Sequence, residues 1–152
     1  MSTERDSRRA ITLIALLRRT SQQMVGELVE RLHASGFPDH TAGHHPIFEN
    51  LDPQGTRLTE LATRTGLTHQ SVGEFVDALE KRGYVERVVD PKDGRARLVR
   101  LTPRGRRAVT AAIREITTIE AEWLERWQKA GLRGDLRAAL EAGLRGGRDN
   151  DR

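Results

Sequence analysis

Ten Lys and Arg residues fall between Lys81 and Arg107, against three acids (Glu86, Asp90 and Asp93), a local net charge of +7. The whole chain carries only +4, so the remainder sums to −3. A basic cluster on an otherwise mildly acidic chain suits the neutralisation of phosphates. Its concentration on one predicted hairpin argues against an ordinary solvated charged face. Just upstream lie Thr68, His69, Gln70, Ser71 and Glu74, side chains that can read base edges. Gln70 can pair bidentately with adenine, Ser71 suits several bases, and Glu74 can accept from cytosine N4. No Lys or Arg stands between Thr68 and Leu79. The commonest strong partner of guanine is therefore missing, and direct readout is expected to be modest, with much of the affinity carried by the hairpin.

The elements that must position these residues are legible around them. Apolar or small residues at Leu61, Ala62, Leu67, Val72 and Phe75, with Gly66 between two helical patterns, have the spacing of a helix-turn-helix. Thr68 is placed to cap the second helix. With Val72, Phe75, Val76 and Leu79 on its buried face, Gln70 and Glu74 point outward and His69, Ser71 and Gly73 flank them. Gly73 costs about 1 kcal/mol against Ala inside a helix; close approach to DNA and no role at all both remain open. Tyr84 to Val89 and Arg97 to Leu101 read as the strands of a hairpin, with Asp90 to Arg95 as a long turned tip. Arg95 and Arg97 suit a narrow minor groove, and Arg57, Arg64 and Arg87 are candidates for phosphate contacts. Thr102-Pro103 reads as a helix start.

Long helices are expected on either side, roughly Asp6 to Ala34 and Pro103 to Lys129, with short ones over Thr41 to Asn50 and Leu132 to Leu144. The expected fold class is mainly α with a small β-hairpin wing, a winged helix-turn-helix flanked by N- and C-terminal dimerisation helices. Residues 1–36 and 103–145 are assigned to dimerisation, 37–102 to the DNA-binding lobe, and 146–152 to a disordered tail. The long helices carry more apolar surface than a small winged lobe covers, which favours a homodimer. Two identical readers about 34 Å apart match half-sites one turn apart on a pseudo-palindromic operator.

The absence of Cys excludes disulfides, thiolate zinc sites and cysteine nucleophiles. No apolar run approaches the ~20 residues of a membrane span, and no signal peptide is read at the start. A cytoplasmic, nucleoid-associated protein with no membrane partner is expected. No catalytic triad order, phosphate loop or paired-carboxylate pocket stands out, so no enzyme and no cofactor are expected. His33, His40, His44 and His45 crowd thirteen residues. His40 and His44 could share a metal on one helix, but no clear carboxylate completes the set and no metal site is assigned. Trp123 and Trp127, four apart, read as core or interface rather than a ligand-stacking pair.

The segments Arg57-Leu58-Thr59-Glu60-Leu61-Ala62, Gly66-Leu67-Thr68, Leu79-Glu80-Lys81-Arg82-Gly83-Tyr84-Val85-Glu86-Arg87 and Asp90 through Gly105 together resemble the multiple-antibiotic-resistance regulator (MarR) family. The resemblance implies a winged-helix dimer closed by its terminal helices. It also implies a bacterial or archaeal repressor, often released from DNA by a small molecule. It further implies that Asp93 braces Arg95, which enters the minor groove, and that His44 and Phe48 line an effector pocket. The resulting expectation is a sequence-specific regulator, ligand-responsive and of double-stranded DNA. The alternative is an architectural, weakly sequence-specific DNA-binding dimer.

Overall fold

The computed structural model describes residues 11–146. The chain enters helix α1 (Leu13–Ala34), whose first turn is capped by the Thr12 hydroxyl accepting from the Ala15 amide at 3.2 Å. This start lies later than expected, because Thr12 is extended and caps the helix; residues 6–10 of the expected helix lie outside the described part. A single 3-10 turn (Ala42–His44) then leads into the short α2 (His45–Glu49), where one helix over Thr41 to Asn50 was expected. Helices α3 (Leu58–Thr65) and α4 (His69–Lys81) follow, joined through Gly66, whose φ of 69° is the left-handed conformation that the tight turn requires.

The hairpin is longer than its sequence suggests. Strands β1 (Val85–Asp90) and β2 (Asp93–Leu101) pair antiparallel from Val85 opposite Leu101 to Asp90 opposite Asp93, with an irregularity between Val89 and Asp90. The turned tip therefore shrinks to Pro91 and Lys92. Arg97 pairs with Val89 just below it, and Gly94, Arg95 and Ala96 form a bulge on β2 between that pair and Asp90 opposite Asp93, a feature that the alternation of apolar residues does not mark. Thr56 extends the pairing from the other side, exchanging both backbone hydrogen bonds with Val99 at 2.9 Å.

Ile47, Leu61, Ala62, Val72, Val76, Leu79, Tyr84, Val85, Val99 and Ala108 form one buried cluster. It gathers α2, α3, α4, the hairpin and the start of α5 (Pro103–Lys129), and each large aliphatic side chain in it contributes roughly 1.5–3 kcal/mol. Thr102 begins α5 as expected, its hydroxyl accepting from the Gly105 amide at 3.0 Å and donating to the Gly83 carbonyl at 2.5 Å.

The chain divides into two compact units, Met1–Ile116 and Thr117–Arg152. In the second, the rings of Trp123 and Trp127 pack 5.4 Å apart and the Arg126 guanidinium lies over Trp123. Helix α6 (Leu136–Gly146) is tied to α5 by Arg137 and Glu120 at 2.5 Å. It begins four residues later than expected, because Gly134 is left-handed and Asp135 caps the helix through the Ala138 amide at 3.0 Å. Of the expected disordered tail, Gly146 ends α6 and the rest lies outside the described residues.

Candidate nucleic-acid interface

The Thr68 hydroxyl accepts from the Ser71 amide at 3.1 Å and also donates to the Ser71 hydroxyl at 2.9 Å, so the first turn of α4 is fixed from its own N-terminus. Val72, Val76 and Leu79 are buried and Phe75 packs against the same core. That packing turns Thr68, His69, Gln70 and Glu74 to solvent, with Ser71 half-buried beside them. Gln70 Nε2 donates to Glu74 Oε1 at 3.1 Å. These two side chains, expected from the sequence to read bases, therefore hold each other in the free protein.

The arginines separate into two groups. Arg95 and Arg97 are exposed on β2 and form no ion pair among the described residues; Arg97 reaches only the backbone carbonyls of Gly94 and Ala96, at 3.4 and 3.3 Å. Arg57 and Arg87 are committed elsewhere. Arg57 donates from Nε to Asp90 Oδ2 at 2.8 Å and lies 3.6 Å from Asp93 Oδ2, so it joins the start of α3 to the wing. These hydrogen bonds hold the Asp90 carboxyl below its usual range, the Lys92 amide first and the Arg57 guanidinium next. Arg87 is gripped by Glu80 and by Asp77, the latter at 2.6 Å, which ties β1 to the outer face of α4. Arg64 is similarly held by Asp52 at 2.9 Å and by Glu60. Asp93 accepts from the backbone amide of Arg95 at 3.1 Å, so what it fixes is the chain at Arg95, leaving that guanidinium free.

The histidine-rich segment packs into the lobe behind α4. His44 is buried; its Nδ1 accepts from the Thr41 amide at 3.2 Å and its Nε2 lies 3.3 Å from the Arg82 guanidinium. Burial, then this cation, lowers its pKa. A cavity of about 220 Å³ opens next to it, lined by His40, His45, Phe48, Glu49 and, on α5, by Ala108, Val109, Ala112, Ile113 and Ile116. Phe48, named from the resemblance as an effector-pocket residue, is on its wall. His44 is not, because its ring is turned to the Thr41 amide and the edge of Phe75. His40, which sequence reasoning considered only as a metal ligand, takes its place. His33 Nε2 lies 2.6 Å from the His40 carbonyl, and His45 pairs with Glu49 at 3.1 Å. Among the described residues no group of three metal-ligating side chains converges.

Among the described residues no helix is long and apolar enough to cross a membrane. Residues 39–96, from the histidine segment to the upper wing, match the model of the MarR family. The transcriptional regulator HosA of Escherichia coli O111:H- is 30% identical over 102 residues, covering 59% of this chain and 76% of that protein. The chain belongs to the MarR family. Solved MarR-type structures share its fold across nearly the whole length. CouR from Rhodococcus jostii RHA1, bound to p-coumaroyl-CoA, superposes with a TM-score of 0.69 at 23% identity, covering 86% of this chain and 87% of that one. CouR bound to a 23-mer DNA duplex gives 0.64 at 25%, covering 89% and 91%. PcaV from Streptomyces coelicolor, in complex with its natural ligand, gives 0.64 at 26%, covering 92% and 94%. This MarR protein is thus a DNA-binding transcriptional regulator and not an enzyme.

Proposed function

We propose that the protein is a ligand-responsive repressor that binds a pseudo-palindromic operator as a homodimer in the cytoplasm. The observation that carries this reading is the pairing of a capped, solvent-facing edge on α4 with two wing arginines that have no acidic partner among the described residues. Thr68, His69, Gln70, Ser71 and Glu74 would enter the major groove and Arg95 and Arg97 the adjacent minor groove, with Asp93, Arg57 and Asp90 setting the angle of the wing. The dimer reading is supported by Leu13, Ile14, Leu16 and Leu17, which lie exposed along the first turns of α1. The DNA-bound and ligand-bound states of CouR support a repressor that answers to a small molecule.

Two features favour the architectural reading instead. The leading turns of α4 contain no Lys or Arg, and Gln70 and Glu74 are already bonded to each other. Fluorescence anisotropy with the DNA flanking the gene and a shuffled duplex, at two salt concentrations, tests them. A specific regulator prefers its native duplex by ~10³ or more. Equal, strongly salt-dependent binding to both would leave an architectural binder or a regulator whose operator lies elsewhere.

A further inference from the structure

Among the described residues both ring nitrogens of His40 are buried without a hydrogen-bond partner, and the residue is only 3% exposed. Leaving polar atoms in this state is costly, so buried polar groups are nearly always paired. The ring is nonetheless firmly placed. It stacks on Phe48 with centroids 5.3 Å apart at 28°, and it meets the edge of His44 at 5.9 Å. It also forms part of the wall of the 220 Å³ cavity, whose opposite side is the aliphatic face of α5. A neutral imidazole offers one donor and one acceptor. The site therefore combines an apolar slot with a single uncommitted hydrogen-bonding group.

The charges around the slot restrict what can enter. Among the described residues no Lys or Arg lines it. Its one acid, Glu49, is ionised more readily than usual, chiefly because it accepts a hydrogen bond from His45, and that pair leaves His45 already engaged. The Arg82 cation stands behind His44 and is not part of the wall. A carboxylate entering here would lose its water beside an existing carboxylate, with no counter-charge waiting. The volume is below the roughly 300 Å³ at which pockets for drug-sized ligands begin, so a single ring with short substituents fits.

We infer that this cavity binds a small uncharged molecule, apolar over most of its surface, whose one hydroxyl bonds to the His40 imidazole, in preference to an anion of the same shape. This names the ligand class for the small-molecule response proposed above and rests on that reading.

Calorimetric titration of the full-length protein at neutral pH with para-ethylphenol and with para-toluate, a matched neutral and anionic pair, tests it. The histidine ring resonances are followed in parallel. The phenol should bind saturably, about tenfold or more tighter than the carboxylate, and shift the His40 resonance. His40→Phe should weaken phenol binding about tenfold, while His40→Gln, which retains a donor and an acceptor, should lose less. Should His40→Phe not fold, Ala112→Val fills the slot from α5 and should abolish binding. Equal or tighter carboxylate binding, phenol affinity indifferent to both His40→Phe and Ala112→Val, or no saturable binding of either probe each overturn the inference. Operator anisotropy with the same ligands separates this site from the wider reading. Phenol bound at His40 without a change in DNA affinity supports the site and removes the ligand response. Release by the carboxylate, independent of His40, retains the response and refutes the site.

Discussion

Arg57, Arg87 and Arg95 are equivalent in composition, and the structure gives them different tasks. Arg57 and Arg87 neutralise Asp90, Glu80 and Asp77 within the lobe, whereas the Arg95 guanidinium faces solvent. Arg95→Ala should weaken DNA binding and lower the salt slope by about 1 per subunit, as read from anisotropy over a salt series. Arg87→Ala should leave that slope nearly unchanged and lower the melting temperature instead. An equal loss of slope in both variants would mean that Arg87 abandons its acids on DNA. The division could not be read along the sequence, because Asp90 meets Arg57 across 33 positions. Thr68 was legible, since a cap is a bond between residues three apart. His40 gives a second test at this scale. Burial, and then the neighbouring histidines, pushes its pKa down from 6.5 to about 4. The unfolded chain therefore binds a proton that the folded chain refuses, and stability should fall as pH drops from 6.5 towards 4 and be retained above that window. Melting curves of the protein and His40→Phe should diverge there, with the variant flatter. Parallel curves would assign the acid sensitivity to other groups.

Helix α4 and the junction of the wing with α5 respond oppositely to a methyl group. A Cβ at Gly73 would meet nothing within 4 Å, so Gly73→Ala should stabilise the free protein by about 1 kcal/mol in urea unfolding. A simultaneous loss of operator affinity would show that α4 needs the bare backbone to lie close to DNA; unchanged affinity would leave the glycine without a role there. At Gly105 the same methyl would stand 2.0 Å from the Tyr84 carbonyl oxygen. Relief requires the start of α5 to move off the hairpin, and overpacking of this kind costs about 1–3 kcal/mol. Gly105→Ala should therefore be destabilising, with Gly73→Ala as its control. The helices themselves were legible because periodic apolar residues and local caps define them, and α5 spans the expected residues. The hairpin tip was not, because Asp93 and Arg97 are paired through backbone groups while their side chains stay polar and exposed, and the bulge of Gly94, Arg95 and Ala96 between them has no apolar alternation to mark it. The 3-10 turn before α2 also escaped the sequence, since His44 completes its cap through a ring nitrogen, a bond that composition does not signal.

For the whole molecule, the decisive quantity is how many reading lobes engage DNA together. Leu13 is 69% exposed and Leu17 49%, one turn apart on α1, although a helix this apolar would ordinarily bury such residues. Covering them with a second copy removes that surface from water and sets two lobes on one duplex, which would make the second contact intramolecular. Leu13→Glu with Leu17→Glu alters no residue of the winged core, so each lobe should remain folded, with its helical circular dichroism and Arg95-dependent salt slope per lobe preserved. Sedimentation velocity should then show the dimer giving way to monomer, and operator affinity should fall about a hundredfold as avidity is lost. A variant that stays dimeric would move the interface away from the start of α1. A monomer that binds the operator as tightly as the parent would show that one lobe carries recognition alone, and the palindromic half-site argument would fail with it.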